Sequence, residues 1–302
     1  MSKVDRMSSS SAQKPLMSTT TNGLSGAELA LLKTRGRRRP LRWVATAVVL
    51  LVAALVVYSM LTNERFGWPV VAQYLFDSRV LNGLVLSIWL TVVCMVIALV
   101  LGTLLAVMRL SANSLLRSTS WIYIWIFRSV PVLVQLIFWY NLGALYPSLG
   151  IGIPFLPPFM EFQTNDVISA LGASILGLSL AQSAYSAEII RAGILSVSRG
   201  QLDAAASLGM TRARALRRIV LPQALRVIIP PVGNEVVGML KNTSLVSVIA
   251  MADLFYSVEL IYANTFQTIP MLIVACIWYL VVVSLLSFGQ SYLERRYGRG
   301  FA

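Results

Sequence analysis

The chain has 302 residues, 57% of them hydrophobic and 12% charged, about half the charge of an average soluble domain, which marks an integral membrane protein. Its net charge of +13 would point to nucleic acid in a soluble protein, but most basic residues fall in four blocks beside hydrophobic runs, the pattern of cytoplasmic loops. The absence of histidine excludes Ser/His and Cys/His nucleophile pairs and His-rich zinc motifs, and the absence of any Gly-Lys pair excludes a phosphate-cradling ATPase loop within this chain.

Residues 1–32 are rich in Ser and Thr and poor in core-forming side chains, so disorder is expected. With Lys33, Arg35, Arg37, Arg38, Arg39 and Arg42, residues 1–42 read as a basic cytoplasmic tail able to touch anionic headgroups, with a nucleic-acid arm as the alternative. Trp43 to Thr62 carries no charge, and its length crosses a hydrocarbon core of about 30 Å at about 1.5 Å per residue. No small-x-small cleavage site follows, so residues 43–62 read as an uncleaved extra N-terminal transmembrane helix. Residues 80–293 form the core. Val80 to Met108 is the second span, and the third begins near Ser118. Residues 146–166, rich in Pro and Gly, make an outer loop, and Val167 to Ala187 is the fourth span. An irregular fifth span covers Val227 to about Ala250, the sixth lies within Leu260–Leu293, and residues 294–302 are a cytoplasmic tail. Cys94 and Cys276 both lie inside spans, where a thiol acts as a small apolar group, so neither a disulfide nor a metal site is expected. Six spans place both termini and the loop between spans four and five on the inside. No internal repeat supplies a second bundle, so a pathway between two bundles needs a second chain, a copy of this one or a relative.

That loop, residues 198–222, is the chain's large polar excursion. Ser198 and Gln201 have capping-box spacing, predicting a helix that runs through Leu208. Gly209 can take the left-handed conformation that ends a helix, and Thr211 can cap the next. Pro222 is expected to close that second helix, since it lacks an N–H and clashes with the preceding turn.

Arg128, Glu235 and Lys241 fall inside spans, where an ionisable group costs about 2.5–3.5 kcal/mol and must face protein or water. An internal ion pair is the alternative to a functional role. Glu235 and Lys241, about 120° apart on an ideal helix, do not face each other. Arg128 and Gln135 return to one face with Val132 and Trp139, and Trp139 also suits an interfacial belt. Pro131, and likewise Pro230, Pro231 and Gly233, should break the local helix, as happens where transported polar solutes bind.

Asp203-Ala204-Ala205, Gly209 and Ile219-Val220-Leu221-Pro222 resemble the conserved loop of permease subunits in binding-protein-dependent ABC importers, with Asp203 in place of the family's Glu. Arg128-Ser129-Val130-Pro131-Val132-Leu133-Val134-Gln135, Gly233-Asn234-Glu235 and Leu240-Lys241-Asn242-Thr243-Ser244-Leu245 are similar to segments of the polar-amino-acid branch, and the likeness covers about residues 80 to 290. The resemblance implies an all-α integral membrane protein: a type I ABC importer permease-like bundle of about six transmembrane helices with a cytoplasmic coupling helix. It implies a multi-pass protein of the bacterial cytoplasmic membrane with no enzymatic chemistry of its own. ATP and Mg would be bound by partner ATPase subunits and no cofactor by this chain. Its other implied partners are a second permease (a copy or a paralogue), an extracytoplasmic solute-binding protein and membrane lipid. Gln201, Leu202, Asp203, Ala204, Ala205, Leu208 and Gly209 would contact the ATPase, while Arg212, Arg214, Arg217 and Arg218 serve topology and lipid contact. Arg128, Gln135, Trp139, Glu235, Lys241, Asn242 and Ser244 are the pathway candidates, with Arg128 and Glu235 suited to the two charges of a zwitterion. The cargo implied is an amino acid or close analogue.

Other readings stay open on sequence alone. An ATP-independent channel or ion-coupled carrier would explain the intramembrane charges, and the cargo of an ABC permease could be an opine, peptide or osmolyte. A membrane enzyme lacks a catalytic constellation, and a scaffold leaves three buried charges unexplained.

Overall fold

A computed structural model describes residues 40–151 and 158–297. The disorder expected for residues 1–32, most of the basic tail, part of the 146–166 loop and the last residues of the 294–302 tail lie outside the described residues. The chain divides into two compact units, residues 1–62 and 63–302. In the first, helix α1 spans Pro40–Thr62, and its side chains from Trp43 onward are exposed. An apolar helix of this length with no buried residue is built to face lipid.

The second unit opens with a 3-10 turn and helix α2 (Trp68–Tyr74), started by Gly67 at φ 57. Asp77 then caps α3 (Ser78–Leu110), accepting from the Arg79 N–H at 2.9 Å and pairing with the Arg79 guanidinium. One stripe of α3, Val92, Val96 and Val100, is more than half exposed. The opposite face, including Leu90, Cys94 and Ala98, is buried.

The third span is two helices, α4 (Ser114–Ser129) and α5 (Val132–Tyr140), bent by 101° at Val130 and Pro131. Val130 is extended, as the residue before a proline tends to be. Where the sequence suggests only an irregular outer loop, β1 (Ser148–Ile151) pairs antiparallel with β2 (Met160–Gln163), Ser148 opposite Gln163. Helix α6 (Ala170–Leu195) lies at the centre of this unit and is built largely of Ala, Gly and Ser. The early part of α3 packs on the early part of α6 in a cluster of Leu90, Cys94, Ala173 and Leu178, and Leu105 packs on Ala184 and Ala187 further along both. The two helices therefore run parallel, as spans two and four must. Gly102 shows how close they come: a Cβ there would sit 2.7 Å from the Ser186 Cβ. Small side chains let helices approach closely in a membrane.

After α7 (Arg199–Ser207) and the short α8 (Arg212–Ala215), the chain continues through a π turn (Leu216–Val220) into α9 (Leu221–Asn242). Pro222 does not end a helix. It sits in the first turn of α9, where a missing N–H costs nothing, and the π turn just before it absorbs the change in hydrogen-bond register. Nor do Pro230 and Pro231 break α9, which runs through both. A 3-10 segment (Thr243–Ile249), α10 (Leu254–Thr265) and α11 (Thr268–Tyr297) complete the unit; α11 is the expected sixth span, reached through a turn at Phe266, φ 58, while α10 forms a bent pair with the irregular fifth. A second apolar cluster joins Val80, Leu254, Val258 and Met271.

By length and composition three described helices can cross a membrane alone, and the two bent pairs raise the number to as many as five. Helix α6 falls outside that set because Ser, Gly and Gln182 dilute its apolar character. Its burial against α3, α5 and α9 removes the need for a lipid-facing surface, and counting it gives six segments.

Candidate functional site: the coupling loop and the polar centre of the bundle

Helix α7 starts at Ser198, but the expected capping box does not form. Ser198 makes no side-chain cap, and Gln201 instead accepts a hydrogen bond from Gln223 of α9, whose amide also donates to the Ile219 carbonyl at 3.0 Å. Gln201 thus ties α7 to α9. The helix closes at Gly209, φ 71, with Met210 N–H on the Ala205 carbonyl at 3.0 Å and Gly209 N–H on the Ala206 carbonyl at 2.9 Å. This is the two-bond closure that a left-handed glycine permits. Thr211 caps α8 through the Arg214 N–H, as its position predicts.

Of the residues assigned to ATPase contact, only Ala205 is buried, turned toward the bundle. Leu202, Asp203, Ala204 and Leu208 are exposed, Leu208 by 82%. The Asp203 carboxylate has no hydrogen bond or ion pair among the described residues. A carboxylate and a leucine held outward on a capped helix form a surface that lacks a partner among the described residues. Under α7, Leu202, Ala206 and Met210 face Ile194, Val197 and Val220 across a mainly apolar cleft of about 570 Å³. Arg212, Arg214, Arg217 and Arg218 are exposed.

Inside the bundle, Glu235 of α9 accepts a hydrogen bond from Gln182 of α6 at 2.7 Å. Asn234 beside it accepts from Gln290 of α11 at 2.8 Å. Gln135 is buried at the start of α5 and donates to the Phe127 and Val130 carbonyls at 3.1 and 2.8 Å. These are carbonyls freed by the Pro131 break, so the amide repairs the bend. Trp139 is half-buried against the core and meets Phe138 edge-on at 5.4 Å. Lys241 is exposed, Asn242 half-buried, and the Ser244 hydroxyl donates to the Lys241 carbonyl at 2.7 Å.

The 101° bend overturns one expectation: Arg128 and Gln135 do not share a continuous helical face. Arg128 lies instead over the Tyr185 ring of α6, 5.1 Å from its centroid. Nor do the three intramembrane charges pair with one another. Among the described residues the ion pairs are Arg79–Asp77 and Arg191–Glu188. Sequence reasoning missed Glu188 and Arg191 by ending the fourth span at Ala187, whereas α6 runs to Leu195. It missed Gln182 as well, although a lone amide in a run of small residues was the available signal.

A family profile described as "Binding-protein-dependent transport system inner membrane component" matches residues 98–299. The chain belongs to this family. The chain is thus a multi-pass membrane component whose ATPase is a separate subunit, and it has no ATPase activity of its own. It is 42% identical over 281 residues to the arginine transport system permease protein ArgU of Corynebacterium glutamicum, covering 92% of this chain and 87% of that one. Against the probable glutamine ABC transporter permease protein GlnM of Bacillus subtilis it is 34% identical, over 75% of this chain and 98% of the relative. A solved amino acid ABC transporter with histidines superposes with a TM-score of 0.63 at 35% identity, covering 74% of this chain and 97% of that one.

Proposed function

We propose that the chain is the transmembrane permease subunit of an ABC importer, carrying polar amino acids inward across the bacterial cytoplasmic membrane by alternating access. The observation that carries this reading is α7, a capped helix holding Asp203 and Leu208 outward without a partner among the described residues. Separate ATPase subunits, with ATP and Mg, press on that helix. Gln201 passes the movement to α9 through Gln223, and α9 holds Glu235. The amino-acid cargo is supported by relatives that carry arginine and glutamine names. Both termini and α7 face the cytoplasm, in line with the basic blocks. A second permease, a copy or a paralogue, completes the pathway, and an extracytoplasmic binding protein delivers cargo.

Along the pathway Glu235, oriented by Gln182, accepts from the cargo ammonium, and Lys241 supplies a cation for its carboxylate. Trp139, Asn242 and Ser244 shape the surrounding wall, and Gln135 holds the bend that positions α5. Arg128 turns to a different cavity.

The test is uptake of labelled arginine, glutamine and glutamate by proteoliposomes holding the permease, its ATPase and its binding protein. Uptake of at least one should require ATP and binding protein together. Uptake that runs without ATP would favour a channel or ion-coupled carrier. ATP-driven uptake of a peptide or osmolyte alone would overturn the cargo class.

A further inference from the structure

A second polar site lies between the last turn of α3, the C-terminal half of α4 and the final turns of α6. Arg109, Arg128 and Arg191 line one cavity of about 470 Å³ with a single carboxylate, Glu188. That carboxylate is already engaged: its Oε2 accepts from Arg191 Nε at 3.0 Å and Nη2 at 2.7 Å. Two guanidiniums therefore remain uncompensated. Arg128 is steered by the Tyr185 ring beneath it, and Arg109 Nε is buried with no hydrogen-bond partner. A buried donor without an acceptor is costly, and an anion in the cavity would relieve it. On the α4 side Trp121 and Trp125 stack with ring centroids 6.2 Å apart at 7°, both at least half exposed. Exposed indoles beside clustered arginines are what a membrane protein presents at headgroup depth.

We propose that this cavity binds the phosphate headgroup of an anionic phospholipid. Two free guanidiniums suit a phosphodiester, which accepts bidentate hydrogen bonds and brings no cation of its own. An amino-acid cargo would bring its ammonium into the same field and be repelled. The depth fits as well, since Arg109 is in the last turn of α3 and Arg191 in the last turns of α6. The inner-leaflet placement rests on the cytoplasmic orientation proposed above, and basic pockets between helices on that side take anionic headgroups. The lipid would wedge α4 against α3 and α6, next to the bend that sets α5.

The experiment is native mass spectrometry of the purified assembled transporter, equilibrated with equal phosphatidylglycerol and phosphatidylcholine. Wild type should retain phosphatidylglycerol preferentially. Arg109→Gln should cut that preference about fivefold, and Arg109→Lys should restore part of it. Glu188→Gln, which frees Arg191, should raise it. Intact assembly by size-exclusion chromatography separates a lost site from a misfolded one. An unchanged preference in Arg109→Gln would overturn the proposal. So would displacement of the lipid by millimolar arginine or glutamate, which would make this a cargo site, or a Trp125→Cys cross-link between permeases, which would make it a subunit interface. Sidedness is read separately by an impermeant maleimide on Ser111→Cys in a Cys276→Ser background. Labelling from outside would overturn the orientation and leave the lipid result standing.

Discussion

Glu235 of α9 and Gln182 of α6 are joined by a hydrogen bond of 2.7 Å, the direct polar link between the helix that leaves the coupling loop and the helix that enters it. A hydrogen bond to a charged group contributes about 1.5–3 kcal/mol, so removing the amide leaves a half-buried carboxylate short of a donor. Gln182→Ala is expected to assemble normally and lower uptake about tenfold, since about 1.4 kcal/mol is a factor of ten. Glu235→Gln should do at least as much. Uptake counted per assembled complex in proteoliposomes checks both.

Gln135 is expected to act on stability, not selectivity. Its amide, from beyond the Pro131 bend, satisfies the Phe127 and Val130 carbonyls that precede it. Gln135→Leu keeps the volume and orphans them, at a cost of about 1–3 kcal/mol per buried group. The unfolding midpoint of the solubilised protein should fall, with the order of cargo preference unchanged.

The contact of α3 with α6 at Gly102 leaves no room for a methyl group. An added Cβ would sit 2.7 Å from the Ser186 Cβ and 3.0 Å from the Ala187 nitrogen. Gly102→Ala should therefore destabilise by about 1–3 kcal/mol through overpacking. Adding Ser186→Gly should recover only part, because the backbone neighbours remain. Thermal unfolding of the two single variants and the double variant measures that coupling.

Gly209 has open space around it but a left-handed backbone, φ 71. The penalty for a side chain is thus conformational, about 1–2 kcal/mol for an ordinary residue. Gly209→Val should fray α7 and reduce ATPase stimulation while insertion and cargo binding stay intact. Gly209→Asn should be milder, because Asn tolerates this region. Stimulation of ATP hydrolysis by loaded binding protein reads the difference.

Much of this was legible in the sequence where a residue type has a single backbone consequence. Gly209 closes its helix and Pro131 breaks one because glycine and proline act locally. Pro230 and Pro231 mislead because α9 stays continuous through both, and Pro222 because a helix start and a helix stop look alike at a proline. The turns at Ala250 and Phe266 have positive φ without a glycine to announce them. The pathway was harder still. The reading that put Arg128 beside Gln135 assumed one straight helix, and the bend that the same sequence implies at Pro131 separates them. Gln182 meets Glu235, and Tyr185 meets Arg128, through packing alone, which no spacing rule shows.

The central claim is that α7 couples this membrane component to an ATPase. It is tested most directly by ATP hydrolysis in the reconstituted complex, with Asp203→Lys and Leu208→Glu combined. Both side chains point outward, so the helix itself should survive. Loss of stimulation by binding protein, with the permease still folded and inserted, is the predicted result. Stimulation at the wild-type level would contradict it.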